Sequence, residues 1–180
     1  MDDGDCREQE TTGTLIVVGG LPATGKTTIA TLLARRLRTQ YLRIDTIEQA
    51  LVESGELKRP VTAGYAVGYA IAADQLCLGH TVVVECVNPL QLTRRAWETV
   101  AREHSARLVN VEVVCSDSVE HRRRAEHRSV DIPGLVPPTW RQIVEREYEP
   151  WEEDRLVLDT SMFDPGEAVQ LVVDQLSARR

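Results

Sequence analysis

The sequence predicts an α/β chain, an open and mainly parallel sheet of five strands with helices on both faces. Three observations predict it. Strand-like and helix-like segments alternate along most of the 180 residues. The two clearest strand-like segments, 14–19 and 81–86, are short apolar runs rich in β-branched residues, as strands buried on both sides must be. The first of them runs straight into a glycine-rich turn and then an amphipathic helix, the order that a parallel βαβ unit uses.

Residues 1–13 are acidic and polar and read as a frayed tail ahead of one domain over residues 14–180. They lack the basic start and apolar stretch of a signal peptide. Residues 14–19, TLIVVG, form the first strand. A helix over 26–38 follows, with Ile29, Leu32, Leu33 and Leu37 on one face. Residues 41–44 predict a second strand, 46–53 a helix and 63–78 a stronger one, which Gly79 closes in a C-cap role. TVVVEC over 81–86 is the clearest strand after the first. An amphipathic helix over 90–104, a strand over 107–115 and charged helices over 119–127 and 139–148 come next. A short strand over 156–158 and a closing helix over 167–178 complete the chain.

The formal net charge of −7 argues against broad binding to nucleic acid, which is driven by phosphate neutralisation. No segment approaches the ~20 apolar residues of a membrane span. Cys6, Cys77, Cys86 and Cys115 show no C-x-x-C spacing, and free thiols in a cytoplasmic protein are expected. The chain is expected as a monomer or a homodimer.

In open parallel sheets ligands sit at the carboxyl ends of the strands. After the first strand stands GLPATGKT, which fits G-x-x-x-x-G-K-[ST] with Gly20, Gly25, Lys26 and Thr27. Glycine lets this backbone turn its N–H groups toward phosphate oxygens, and the next helix aims its positive end at them. The phosphate site is taken as Gly20, Ala23, Thr24, Gly25, Lys26, Thr27 and Thr28. Lys26 supplies a mobile positive charge, and the Thr27 hydroxyl is placed for Mg²⁺. ATP and Mg²⁺ are therefore the expected cofactors.

After the second strand, Asp45 is a candidate base for an acceptor hydroxyl, or else the N-cap of a helix starting near Ile47. Arg43 beside it adds charge or is an exposed strand residue. Glu85, a carboxylate inside an apolar run, is a candidate metal ligand. Asn88 either contacts substrate or turns the chain before Pro89. The run HRRRAEHR from His121 offers Arg123 to the nucleotide, and Arg124 and Arg128, four apart on one face, to the transferring phosphate. The Pro- and Gly-rich stretch beyond it suggests a mobile lid over about 120–138. Tyr65 and Tyr69, one turn apart, line a pocket or pack in the core, while Trp97, Trp140 and Trp151 are expected to pack. Residues 159–161 sit where a strand end reaches the adenine side.

GLPATGKTT, IDTIE, VVVECVNP, VCSDSVEHRRR and VLDTS together resemble the small P-loop kinases. The likeness is to the branch containing chloramphenicol phosphotransferase, zeta-toxin-type kinases and many AAA-family ATP-binding proteins. Gluconate, shikimate and adenylyl-sulfate kinases are more distant. It runs from about Thr14 to the C-terminus. The resemblance implies a three-layer P-loop NTPase fold of the nucleoside-monophosphate-kinase kind, with the P-loop strand in the centre of the sheet. It implies phosphate and Mg²⁺ for Lys26 and Thr27, the acceptor hydroxyl for Asp45, and the lid for Arg123, Arg124 and Arg128. The implied activity is ATP-dependent phosphorylation of a small-molecule hydroxyl, on an antibiotic or a sugar-like metabolite. A kinase of nucleotides or of nucleic-acid 5′-hydroxyls would need a second basic patch, for which only Arg94-Arg95 and Lys58-Arg59 offer themselves. A regulatory nucleotide-binding protein is the third reading. A ring-forming motor is not expected, since no second acidic pair follows the third strand and no C-terminal helical domain is visible.

Overall fold

Five parallel strands build the sheet, in the order β2-β3-β1-β4-β5. The computed structural model describes residues 13–55, 58 and 62–178. In chain order the elements are β1 (Thr14–Gly19), α1 (Lys26–Leu37), β2 (Gln40–Arg43), α2 (Ile44–Glu53), α3 (Ala63–Cys77) and β3 (Thr81–Glu85). There follow α4 (Gln91–Glu103), β4 (Arg107–Val114), α5 (Ser118–His127), α6 (Trp140–Val144), β5 (Leu156–Asp159) and α7 (Pro165–Ala178). The strand that precedes the P-loop is the central one, as the resemblance implies.

The unbroken apolar run of β1 has a direct cause. Ile16 and Val18 face α1 and α7 and share a core with Leu33 and Val169. Leu15 and Val17 face the other way, toward Ala72 and Leu76 of α3 and Trp97 of α4. Both faces are therefore covered, and the strand has no position for a polar side chain. Three layers result, with the sheet in the middle.

Several boundaries move. Residues 139–148 form only the five-residue α6, held by a capping box between Thr139 and Gln142. Gly79 lies one position beyond the cap residue Leu78; its N–H reaches Leu76 O at 2.9 Å and that of His80 reaches Gln75 O at 3.0 Å. That pair of bonds is a Schellman motif, with Gly79 in the left-handed conformation it needs. The tail lies outside the described residues except for Gly13, which is buried and whose carbonyl accepts from Arg107 N–H at 2.9 Å. Cys86 and Cys115 are free thiols, but Cys77 is disulfide-bonded, against expectation. Local spacing says nothing about pairs distant in sequence.

Register sets the site. Val18 pairs with Glu85, and Arg43 pairs with Glu85. The carboxyl ends of β1, β2 and β3 thus lie side by side. The strand order reverses at β1, with β3 on one side and β4 on the other, so the crevice opens beside the P-loop.

Candidate active site

The P-loop begins where β1 runs out of partners. Gly20 N–H bonds Val87 O at 3.1 Å, which extends the β1–β3 ladder by one step. Gly20 has φ 146°, and a Cβ there would sit 2.3 Å from Val113 O, so only glycine fits. Gly25 then caps α1 in the left-handed region without any side-chain cap. The first-turn N–H groups of α1 are left for an anion.

Lys26 is 4% exposed. Burial pulls its ammonium below the ordinary lysine value; the carboxylates of Asp45 and Glu85 oppose that shift, and Arg128 adds to it. Four sequence candidates, Lys26, Asp45, Glu85 and Arg128, are thus close enough to feel one another's charge. A buried cation of this kind is stabilised by an anion such as a triphosphate.

Glu85 is 1% exposed and fully engaged. Its Oε1 accepts from Thr27 Oγ1 at 2.5 Å, its Oε2 accepts from Tyr41 OH, and Arg43 Nε lies 3.5 Å from Oε2. Arg43 is no exposed strand residue; it also binds Asp131 of the loop beyond α5 at 2.7 Å. Among the described residues no group of three His, Cys, Asp or Glu side chains is placed to hold a metal. A hard cation here would take oxygens from Thr27 and Glu85 and the rest from phosphate and water, the usual arrangement for Mg²⁺.

Asp45 is not an N-cap. β2 turns directly into α2, whose first residue is the buried Ile44, so Asp45 falls in the first helical turn. The positive end of α2 favours a carboxylate there. Asp45 lines a cleft of about 1120 Å³ together with Glu48, Tyr65, Tyr69, Arg128 and Arg146. Tyr65 and Tyr69 do both things expected of them, since they also pack against the α3–α4 core. Burial, then the charge of Asp45, pushes the Glu48 carboxyl up to about 7, with Arg146 opposing.

The sign of that shift is testable. An acid whose folded value lies above its unfolded 4.5 loses stability as pH rises from 4.5 to about 7 and no further. Glu48→Gln is expected to remove that fall. Measured by urea unfolding, the variant should gain on wild type by about 1–2 kcal/mol between the two pH values, once partial exposure is discounted.

The arginine run divides. Arg123 is 63% exposed and pairs with Glu120 at the surface, away from the cleft lining. Arg124 donates to Thr160 Oγ1 at 2.7 Å and Thr160 O at 3.1 Å, and Thr160 Oγ1 donates to Thr24 O of the P-loop at 2.7 Å. Arg128 is the cap residue of α5, in extended conformation, and faces the cleft. Arg124 and Arg128 therefore do not share a helix face. The sequence offered Thr160 only for the adenine side and gave His121 no role. Thr160 ties α5 to the P-loop, and His121, only 7% exposed, donates from Nε2 to Pro22 O at 2.9 Å. A carbonyl only accepts, so the proton sits on Nε2. Spacing held the signal for His121: it, Ala125 and Arg128 fall at i, i+4 and i+7.

Arg94 is sealed rather than available. It is 1% exposed, donates to the carbonyls of Asn88, Pro89, Glu149 and Pro150, and stacks over Trp151 at 4.2 Å. Arg95 pairs with Glu152 at 3.5 Å on the surface, and Arg59 lies outside the described residues. Arg94→Ala is expected to cost about 3–5 kcal/mol in urea unfolding, since it takes a charged donor from four carbonyls and leaves a void. Arg95→Ala should stay within about 0.5 kcal/mol of wild type.

An AAA domain family model matches residues 15–134, from β1 through the loop beyond α5. The chain belongs to that family. Among solved structures, this AAA-domain chain is similar to the APS kinase of Mycobacterium tuberculosis in complex with AMPPNP and APS. That likeness has TM-score 0.71 and 20% identity, over 92% of this chain and 98% of that one. A gluconokinase from Sinorhizobium meliloti gives TM-score 0.62 and 20% identity, over 95% and 99%. Kti12 from Chaetomium thermophilum in complex with ADP-AlF3 gives 0.65 and 22%, over 91% and 97%. These likenesses show that the AAA-domain chain has the fold of the P-loop kinases. No curated protein matches it. No helix among the described residues is long and apolar enough to cross a membrane.

Proposed function

We propose that the protein is an ATP-dependent kinase that phosphorylates a hydroxyl of a small molecule, an antibiotic or a metabolite, as the resemblance to the chloramphenicol phosphotransferase branch implies. One observation carries this reading. A carboxylate, Asp45, lies within Coulomb reach of the P-loop lysine and also lines a cleft large enough for a small molecule. A protein that only bound nucleotide would have no use for that pairing.

In the proposed reaction the acceptor oxygen forms a bond to the γ-phosphorus of ATP. The bond from that phosphorus to the β,γ-bridging oxygen breaks, and ADP leaves. The hydroxyl proton passes to Asp45. Lys26 and the first-turn N–H groups of α1 hold the triphosphate, and Arg128 meets the charge that spreads over the transferring group. Thr27 and Glu85 would hold Mg²⁺, which would offset the negative charge of the triphosphate. Arg124 and His121 act through the P-loop, by fixing Thr160 and Pro22. The lid is then the loop beyond Arg128, because α5 itself is pinned by those contacts. A cytoplasmic location agrees with the use of ATP.

A nucleic-acid acceptor is disfavoured because Arg94 is consumed by carbonyls and Arg95 by Glu152. ADP release from MgATP, measured with alcohols, sugars, nucleosides and hydroxylated antibiotics, tests the reading. At least one compound is expected to stimulate release tenfold or more over water. ATP binding with no stimulation by any of them would overturn it.

A further inference from the structure

The cleft holds two carboxylates where phosphoryl transfer needs one. Asp45 and Glu48 lie three apart on α2, which puts their Cβ atoms about 5–6 Å from each other on one helix face. Both line the cleft. Among the described residues no hydrogen bond or ion pair engages either. Glu48 is also built in: a Cβ on Gly64 of α3 would lie 2.2 Å from its Cγ, so glycine at that position is what lets the side chain lie across α3.

The surroundings say what would satisfy this group. Asp45 faces it from its own helix, Tyr65 from α3 and Arg146 from the chain beyond α6. Arg128 also lines the cleft and lies within Coulomb reach of Lys26. Tyr65 OH accepts from Asn88 N–H at 2.9 Å, and Tyr69 OH donates to Thr93 O at 3.3 Å. With their hydroxyls engaged, the two tyrosines offer ring carbon to the cleft. The rest of the lining mixes apolar residues, among them Ile44, Val87, Leu90 and Leu135, with Thr62 and Gln142.

Beside Glu48 an anionic acceptor would meet a second carboxylate, Asp45, against the single cation Arg146. A neutral one would leave the burial of Glu48 uncompensated. A cation relieves both and gains contact with aromatic faces. We infer that the acceptor is an amino alcohol on an apolar body, its hydroxyl at Asp45 and its ammonium group at Glu48. The inference rests on the kinase reading for the hydroxyl and on Glu48 alone for the ammonium. The raised value of the Glu48 carboxyl fits it, because a bound cation would return that group to its ionised form.

Three matched aryl alcohols separate the classes: phenylethanolamine as cation, phenylethanediol as neutral isostere and mandelate as anion. Calorimetric binding to the full chain in MgAMPPNP should favour the amine over both others by about tenfold or more. Glu48→Gln should abolish that preference and Glu48→Asp should restore part of it, with AMPPNP binding checking that each variant is folded. Equal affinities, a preference for the diol or mandelate, no amine binding at millimolar concentration, or an unchanged preference in Glu48→Gln would overturn the inference. ADP release with MgATP tells the two readings apart. Glu48-dependent amine binding without ADP release leaves the ammonium site at Glu48 standing and removes the kinase. Release stimulated by the diol and not by the amine does the reverse.

Discussion

Lys26→Met is expected to lower affinity for MgATP by about a hundredfold or more while leaving the fold intact or slightly more stable. Both halves follow from one fact. The ammonium is 4% exposed, and burial already pulls it below its ordinary value. In the free protein it is a desolvated cation only partly offset by Asp45 and Glu85, so an apolar isostere relieves a cost. In the complex the same charge meets the phosphates in a low-dielectric pocket, where a charge-assisted contact counts for several times its value in water. Fluorescent-nucleotide titration and urea unfolding of the same sample read the two effects. Tight ATP binding by the methionine variant would show that backbone N–H groups suffice. A large loss of stability would show that the lysine is structural. Arginine should not rescue, because a planar fork does not replace a slender, mobile ammonium at a buried position.

The part of this site that was legible in the sequence is the part made of neighbours. GLPATGKT carries its own geometry, since glycines, lysine and threonine act within eight positions. β1 and β3 were legible because strands buried on both faces are contiguous apolar runs, and the other three strands lie within a residue of the shorter or mixed segments that predict them. Arg94 shows the opposite case. It and Arg95 look alike in sequence, but Arg94 is sealed by Glu149 and Pro150, some 55 residues away. Only the path of the chain after α6 decides which arginine is buried. Arg123 and Arg124 differ for the same reason, since Thr160 lies 36 residues beyond Arg124 and nothing comparable meets Arg123. Arg43 was misjudged because a short strand gives no sign of which face its last residue presents. It presents the face toward Glu85.

Asp45 reads in the sequence as a strand end or a helix cap, and its place in the fold is neither. Reading it as strand end or helix cap assumed a loop between β2 and α2. There is none: Ile44 is buried as the first helical residue, and Asp45 is fixed within the first turn. A capping carboxylate would spend its oxygens on backbone N–H groups. Asp45 makes no such bond in α2 and keeps its oxygens for the cleft. Asp45→Asn preserves size and helix start but cannot take a proton. The expected result is a fall in kcat of about 10³-fold or more, in the range that general-base and positioning terms supply together, with affinity for MgAMPPNP within about twofold of wild type. Single-turnover measurement with the best acceptor distinguishes this loss from slow product release. If kcat survives, the proton leaves by another route and Glu48, one turn along the same helix, becomes the group to replace next. If nucleotide affinity collapses as well, Asp45 acts mainly by holding Lys26 in its charged form.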